Sequence, residues 1–525
     1  MRHTLKLGAG LLALTGTALG FALSGCGASA DSADFSPTSG GGGPTNGVAA
    51  DGGALPPPEK EVESDYEAPV ATKNFVWVAN PKSGRVAYVN AATLEVKTLE
   101  AGNAPTFLAT VPGQADAAIV LNVLSHDATL LKAEGAQITT KTFRVGAQAN
   151  GWSLSPDGRW AIAWTDYRKV ANATKTQGYQ DLAVLDLTEK VPPTILAVGY
   201  RPVSISFAEN GNAAFAVTQD GISIVDLTPA GGPLVTKNVA ISDTPLTDPG
   251  TRDVAVTPNG KLALIRRDGS AEITAVNLET AVRTAIPMPG AVTDLDLTDN
   301  GTRAVGVIRD TSTVVILPVP DIVTSPAVFT QIAITGETVG SVALSPGGGT
   351  GLLYSNAVAA ERLTVLSLLG APTYRTVRLY APVLSVFSSK DASHALVVHD
   401  KVTGSPGAFS IVPVQNALPA KIVETLAPPI AVAFADTNDR VIVAERGTTP
   451  ASYGAYLGRL PQLTVDRFAL ASPPTAVGIV TGAKRAYVAQ EHPDGRITFI
   501  DLDTGLARTL TGFELGARVV DGSKP

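Results

Sequence analysis

The sequence contains one cysteine, two methionines and five histidines among its 525 residues. A single cysteine rules out an internal disulfide. Aromatic residues make up only 6% of the chain, which argues against a broad carbohydrate-stacking surface. Charged residues reach only 17%, so long charged helices and coiled coils are not expected. The net charge of −7 argues against a nucleic-acid partner, which would select a basic face.

Several chemical motifs are also missing. The chain has no G-x-S-x-G nucleophile motif, no H-E-x-x-H or C-x-x-C-H metal or haem motif, and no phosphate-cradling loop. Glycine and proline, in contrast, are abundant at 51 and 37 residues. That composition favours short strands joined by many turns.

The N-terminus has the layout of a secretory signal. Arg2 and Lys6 give a basic start, residues 7–22 are almost wholly apolar or small, and Leu-Ser-Gly-Cys follows at 23–26. The apolar run is too short and too glycine-rich for a good spanning helix. We therefore expect residues 1–25 to be a signal peptide.

The string at 23–26 resembles the lipobox of bacterial lipoproteins. That resemblance implies that Cys26 is lipidated and becomes the mature N-terminus, which would anchor the protein in the envelope membrane. By the same resemblance, Gly27 in place of aspartate favours the outer membrane of a Gram-negative cell. The alternative is a plain signal peptide with an incidental cysteine.

Residues 26–73 show the composition of a linker. They include four consecutive glycines at 40–43, three prolines at 56–58 and an acidic run at 59–67. Residues 26–70 carry eight acids against Lys60, so the acidity of the chain belongs mainly to this segment. We expect it to be disordered and to hold a domain off the membrane.

From residue 74 to 525 one pattern recurs. An apolar strand leads into a turn ending in Asn-Gly or Asp-Gly, a second apolar strand follows, and a third strand often ends in Asp-Leu; residues 152–164 followed by 182–187 are a clear copy. Proline and glycine in these turns reverse the chain between adjacent strands. About ten such units occur, one every ~46 residues.

Four short strands per unit predict an all-β fold, a β-propeller of about ten four-stranded units. The Ser-Pro-Asp-Gly and Asp-Leu-x-Thr-Gly strings resemble the YVTN-type and TolB-like propellers of bacterial envelopes. Ten units exceed the usual four to eight blades. The ring is therefore unusually large, or some units are not true blades, or there are two rings.

The ends of the repeat region suggest how a ring would close. The first unit starts at a second strand near Phe75, and the last unit continues through residues 515–520. We expect this tail to supply the missing first strand of the first unit and so to close one ring.

Loops between second and third strands lie together on one face of a propeller and are the first place to look for a binding face. The candidates there are Asp166, Arg168, Arg267, Arg309, His399, Arg446 and His492. The competing interpretation is an ordinary solvated rim, since charged loop tips need no function.

The sixth unit carries a second anomaly. Asp294 and Asp296 lie on one side of its first strand, where other units have small residues such as Ser341 and Ala343. Two adjacent carboxylates would shift a pKa or recruit a divalent cation at the channel. They could equally be satisfied by solvent, backbone N–H groups or an arginine.

These observations predict a membrane-anchored envelope lipoprotein whose propeller is a scaffold for an envelope protein partner. The alternatives are a cation-dependent hydrolase or lactonase-like enzyme using Asp294 and Asp296, and a small-ligand sensor. Propellers host many unrelated activities, so the fold does not decide among them.

Overall fold

The computed structural model describes residues 67–134, 137–146, 148–171, 173, 176–245, 252–399, 406–514 and 518–521. The predicted signal peptide, Cys26 and the linker up to residue 66 lie outside the described residues. Within those residues, no helix is long and apolar enough to cross a membrane.

In the described part of the chain the strands form ten antiparallel sheets, named blades 1 to 10 in chain order. Blades 1 to 5 contain the following strands: blade 1, β1 (Val70–Ala71), β2 (Phe75–Asn80), β3 (Arg85–Asn90) and β4 (Val96–Glu100); blade 2, β5 (Pro105–Thr110), β6 (Ala117–Asn122), β7 (Asp127–Glu134) and β8 (Gln137–Arg144); blade 3, β9 (Gly151–Leu154), β10 (Trp160–Trp164), β11 (Asp181–Asp186) and β12 (Thr194–Ala197); blade 4, β13 (Pro202–Phe207), β14 (Ala213–Thr218), β15 (Ile222–Asp226) and β16 (Leu234–Val239); blade 5, β17 (Arg252–Val256), β18 (Leu262–Arg267), β19 (Glu272–Asn277) and β20 (Arg283–Pro287).

Blades 6 to 10 continue the pattern with these strands: blade 6, β21 (Asp294–Leu297), β22 (Arg303–Ile308), β23 (Thr313–Pro318) and β24 (Thr330–Ala333); blade 7, β25 (Ser341–Leu344), β26 (Thr350–Tyr354), β27 (Arg362–Ser367) and β28 (Thr373–Arg378); blade 8, β29 (Val383–Ser388), β30 (His394–His399), β31 (Gly407–Pro413) and β32 (Lys421–Thr425); blade 9, β33 (Pro429–Phe434), β34 (Arg440–Glu445), β35 (Gly454–Arg459) and β36 (Thr464–Ala469); blade 10, β37 (Pro474–Val480), β38 (Arg485–Gln490), β39 (Arg496–Asp501), β40 (Ala507–Thr511) and β41 (Arg518–Asp521). One α-helical turn, α1 (Asp321–Thr324), and the 3₁₀ turns Tyr167–Lys169, Arg309–Thr311, Pro450–Ser452 and Thr481–Ala483 lie between strands.

Each blade is an up-and-down sheet of strands in chain order, and this confirms the ten predicted units. We call the face that carries the loops between second and third strands, together with the connectors between blades, the upper face. The lower face carries the other turns. Every second strand therefore ends at the upper face.

The lower-face turns follow from their residues. In blade 3, Ser155 Oγ donates to the Asp157 carboxylate and accepts from the Trp160 N–H at 2.8 Å, while Gly158 takes φ of 68°. Blade 5 repeats the arrangement with Thr257 donating to Asn259 at 2.7 Å. A short polar side chain and a glycine thus fold the chain back between the first two strands.

The hydrophobic core lies between blades. Buried apolar side chains of the described residues form ten clusters, and each cluster draws on two neighbouring blades. One of them joins Val76 and Val78 of blade 1 to Tyr487 and Phe499 of blade 10. The ten blades therefore close into one ring, and the alternatives of false blades or two rings are wrong.

The ring does not close through the C-terminal tail, although the sequence predicts that it would. The innermost strand of blade 1 is β1, in which Val70 pairs with Trp77. The C-terminal strand β41 pairs with β40 at the outer edge of blade 10, with Val520 opposite Thr509. The prediction that residues 515–520 supply the inner strand was wrong, because a two-residue strand is too short to show periodicity. Residues 515–517 lie outside the described part.

We predict that Tyr487→Ala destabilises the ring by about 3–5 kcal/mol, because it empties the closing interface between blades 10 and 1. Tyr487 is only 1% exposed, and its ring lies against Gly478, where a Cβ would come within 2.4 Å. Denaturant unfolding of the full-length chain measures the change. Tyr380→Ala, at a side chain that is 60% exposed, is the matched control and should stay within about 0.5 kcal/mol of the parent.

Candidate functional site

Buried polar side chains recur where second strands reach the upper face. All are less than a tenth exposed: Asn80, Asn122, Thr165, Thr218, Arg266, Ser355, His399, Glu445 and Gln490. Several bond the connector that precedes their own blade; Thr165 Oγ1 donates to the Gln148 carbonyl at 2.8 Å, and Gln490 Oε1 accepts from the Ser472 N–H at 3.2 Å. Buried polar groups need such partners. The residues that make such bonds fix the backbone of the upper face, whereas Ser355 Oγ has no hydrogen-bond partner among the described residues.

Glu445 is the most strongly bound of these side chains. It is fully buried, and its Oε2 accepts from the Leu426 N–H at 2.6 Å, the Ala427 N–H at 3.2 Å and the Tyr456 hydroxyl at 2.9 Å. Its Oε1 accepts from Arg467 Nε at 2.7 Å. Burial, and then the Glu445 carboxylate, raise the pKa of the Tyr456 hydroxyl far above its ordinary value. The sequence analysis did not predict this network. A glutamate at the end of the otherwise apolar strand β34 could have indicated it.

Asp166 and Arg168 form a paired unit on blade 3. Arg168 Nε and Nη2 donate to the two carboxylate oxygens of Asp166 at 2.8 and 2.7 Å. Arg168 Nη2 also reaches the Val203 carbonyl of blade 4 at 3.0 Å. The Asp166 N–H donates to Asn150 Oδ1 at 2.7 Å. This pair therefore joins two blades.

Two further predicted arginines also make interblade ties. Arg267 Nη1 donates to Thr274 Oγ1 at 3.0 Å, and its Nη2 donates to the Ile241 carbonyl in the connector before blade 5 at 2.9 Å. Arg446 Nη2 lies 2.8 Å from Glu491 Oε1, which joins blade 9 to blade 10. Their guanidinium groups therefore connect neighbouring parts of the ring.

Arg309 lies across the start of blade 7. A Cβ at Gly340 would fall 2.5 Å from Arg309 Nε, so glycine at this position leaves room for the guanidinium where it lies. Its Nε is buried without a hydrogen-bond partner in the described structure. That atom is covered and cannot reach a ligand.

The two predicted histidines differ in environment. His399 is 3% exposed; its Nδ1 lies 3.1 Å from the Pro382 carbonyl and its Nε2 lies 2.6 Å from Ser410 Oγ. Because a carbonyl only accepts, Nδ1 carries the proton and Nε2 accepts from Ser410. Burial lowers the pKa of His399. His492 is half-buried, and its Nδ1 accepts from the Asp494 N–H at 3.2 Å.

The seven predicted face residues are distributed over blades 3, 5, 6, 8, 9 and 10. Of the contacts described above, only that between Asp166 and Arg168 joins two of them. Asp166 and Arg168 are thus the two predicted residues that these contacts bring together.

The structure also gives the surroundings of Asp294 and Asp296, the two carboxylates of blade 6. Asp294 is 5% exposed; its Oδ1 accepts from the Leu295 N–H at 2.9 Å and its Oδ2 from the Val342 N–H of blade 7 at 2.9 Å. Asp296 is half-buried. Asp294 thus links two inner strands by backbone N–H groups, one of the two alternatives that the sequence left open. Among the described residues, no group of three or more histidine, cysteine, aspartate or glutamate side chains could hold a metal ion.

A cleft of about 460 Å³ opens on the upper face between blades 2 and 3. Val170, Ala171, Gln177 and Tyr179 form part of its wall, and they belong to the loop between β10 and β11, which is the longest upper-face loop by these strand bounds. The guanidinium of Arg201 lies over the rings of Tyr167 and Tyr200 at 4.8 and 5.0 Å and holds this segment down. The cleft is lined by Phe107, Val123, Gln148, Ala149, Asn150, Val170, Ala171, Gln177 and Tyr179.

No protein-family model and no curated protein matches the sequence. Solved structures do resemble it. Hydrazine synthase of Kuenenia stuttgartiensis is 16% identical with a TM-score of 0.33, over 60% of this chain and 99% of that one. The C-terminal WD40 domain of Sif2 is 13% identical with a TM-score of 0.40, over 64% and 92%. Apo AztD from Citrobacter koseri is 12% identical with a TM-score of 0.41, over 66% and 92%. At these scores the likeness carries no argument about function.

We predict that Glu445→Gln lowers the free energy of unfolding by about 1–3 kcal/mol, because it puts an amide in place of the buried carboxylate beside the half-buried Arg467 and places N–H groups against N–H donors. Denaturant unfolding followed by circular dichroism measures the loss. Glu424→Gln, on the exposed side of β32, is the matched control and should be close to neutral. A near-neutral Glu445→Gln would contradict the anchoring role.

We predict that acid lowers the free energy of unfolding and that protonation of His399 accounts for part of this loss. Its pKa is lowered in the folded ring, so below the ordinary value of about 6.5 the unfolded chain binds a proton that the folded chain does not. Its contribution is complete above that pH and is lost as the pH falls towards the folded pKa. Unfolding midpoints at several pH values should fall less steeply in His399→Gln.

The exposed His126→Gln controls for the change in histidine number. An identical pH profile for His399→Gln and the parent would contradict the assignment.

Proposed function

We propose that the protein is anchored in the bacterial envelope and that its ten-bladed ring is a scaffold that binds a partner protein through the upper face. The propeller fold is compatible with a protein-binding scaffold. Anchoring follows from the sequence pattern around Cys26.

The observation that carries the proposal is a set of exposed apolar side chains on upper-face loops of blades 7 to 9. Val358, Tyr380 and Leu426 are 45%, 60% and 53% exposed. Single exposed apolar side chains are common, but these three lie on the same face of neighbouring blades. Aromatic and aliphatic anchors of this kind are what a protein interface buries.

The backbone at Leu426 and next to Tyr380 is held by the buried network beneath it. The backbone N–H of Leu426 is bound by Glu445, and the connector beyond Tyr380 is bound at the Pro382 carbonyl by His399. The Arg378 guanidinium lies 4.4 Å from the centre of the Tyr380 ring. A partner would therefore bind a preorganised surface and lose little conformational entropy in ordering it.

The position of the first strand supports use of the same face. The Glu67 N–H donates to the Ala79 carbonyl at 2.9 Å, next to the upper end of β2. The chain thus enters the ring from the upper face. A linker held at Cys26 would leave from the side on which the exposed side chains lie.

We predict that in-cell crosslinking and affinity capture of the full-length protein yields one reproducible envelope partner. The double variant Tyr380→Ser with Leu426→Ser should reduce its yield at least about tenfold, because central interface anchors dominate binding. Leu369→Ser with Leu418→Ser, at exposed side chains on lower-face turns, is the matched control and should retain the partner.

Cys26→Ala tests the anchor separately and should move the protein from the membrane to the soluble fraction. No partner above background, or equal loss in both double variants, would contradict the scaffold proposal. A Cys26→Ala protein that stays with the membrane would contradict the anchor alone.

A further inference from the structure

The upper end of the interface between blades 6 and 7 carries an arginine whose charge the ring does not use. We infer that Arg309 recognises an aspartate or glutamate side chain of the partner protein. The inference rests on the proposed scaffold function and deepens it, because it names a chemical group that the partner presents.

Arg309 differs from the other arginines predicted for the upper face. Arg168, Arg267 and Arg446 each bond a carboxylate or a carbonyl of the ring. The side chain of Arg309 makes no hydrogen bond and no ion pair in the described part of the chain. Because a guanidinium stays protonated in proteins, a positive charge remains available at this place.

The acids closest to Arg309 on the upper face do not neutralise it. Asp310 is exposed and forms no ion pair among the described residues. Glu337 Oε1 accepts from Thr376 Oγ1 of the outer strand β28 at 3.1 Å. The upper loops of blades 6 and 7 and the connectors before these blades all belong to the described residues: 288–293, 309–312, 334–340 and 355–361.

The position of Arg309 is fixed before a partner binds. Its guanidinium lies against Gly340, where a Cβ would fall 2.5 Å from Nε and 3.3 Å from Nη2. The side chain is half-buried and its Nε is covered, so a carboxylate would reach it through Nη1 and Nη2. An arginine that is already positioned loses less conformational entropy on binding.

A second donor at the same junction also lacks an acceptor. Ser355 is 1% exposed, and its Oγ has no hydrogen-bond partner among the described residues. Ser355 lies two residues beyond Leu353, which packs in the cluster shared by blades 6 and 7, so its side chain faces blade 6. Buried polar groups normally find partners. The ring therefore supplies donors at this junction and leaves the acceptor to another molecule.

Arg309 extends the exposed surface of blades 7 to 9. The upper loop of blade 7, the next blade, carries the exposed Val358. Tyrosine and arginine are enriched at protein interfaces and among the residues that dominate binding. Arginine binds a carboxylate through two parallel N–H···O bonds. An acidic side chain beside apolar ones is therefore the chemistry that this surface fits.

The test repeats in-cell crosslinking and affinity capture of the full-length protein with variants of Arg309. Arg309→Gln should lower the yield of the partner at least about tenfold, because it removes charged hydrogen bonds to the partner. Arg309→Lys keeps the charge but loses the planar pair of donors, so its yield should lie between those of Arg309→Gln and the parent. Arg309→Glu brings like charges together and should give the lowest yield.

Arg144→Gln is the matched control. Arg144 is exposed at the upper end of β8 in blade 2, so this variant removes the same charge from the same face at a distant blade. It should capture the partner like the parent. Arg309→Gln breaks no hydrogen bond of the described structure, so its circular dichroism spectrum and melting temperature should match those of the parent.

Phenylglyoxal, which modifies accessible guanidinium groups, provides a readout that needs no variant. Mass spectrometry should find Arg309 modified in the purified protein and protected in the crosslinked complex. Arg144 should be modified in both samples.

A partner yield in Arg309→Gln equal to that of the parent, or equal modification of Arg309 with and without the partner, would overturn the inference and leave the scaffold proposal standing. An equal loss in Arg144→Gln would also overturn it, since the effect would then be one of overall charge. If the parent captures no partner, the scaffold proposal fails and the inference fails with it.

Discussion

The structure depends on one constraint, which is that a four-stranded blade can bury its faces only against its two neighbours. Each of the ten clusters of the described residues is shared by adjacent blades, so no blade has a core of its own. An open array would leave two apolar faces in water. Val76 and Val78 of blade 1 pack against Tyr487 and Phe499 of blade 10, so both faces are buried. The ring closes by this packing, and no C-terminal strand joins blade 1. This is why the tail can occupy an outer edge.

A second constraint follows from the first. Connectors between blades cross the upper face, where their backbone N–H and C=O groups have no strand beside them. The buried polar ends of second strands supply the missing partners, as Glu445 does for Leu426 and Ala427 and as His399 does for Pro382. Four residues predicted for a charged binding face make contacts of the same structural kind: Asp166, Arg168, Arg267 and Arg446.

The sequence predicts the features that recur in each unit, but it does not predict contacts with residues of a neighbouring blade. The ten units, their turns at Ser155 and Thr257, and the apolar second strands follow from periodicity within about 46 residues. The partner of Asp294 is Val342, 48 residues away in the next blade. A single sequence shows that Asp294 departs from its repeat but cannot show what it faces. The two-residue strand at Val70 carries no period at all.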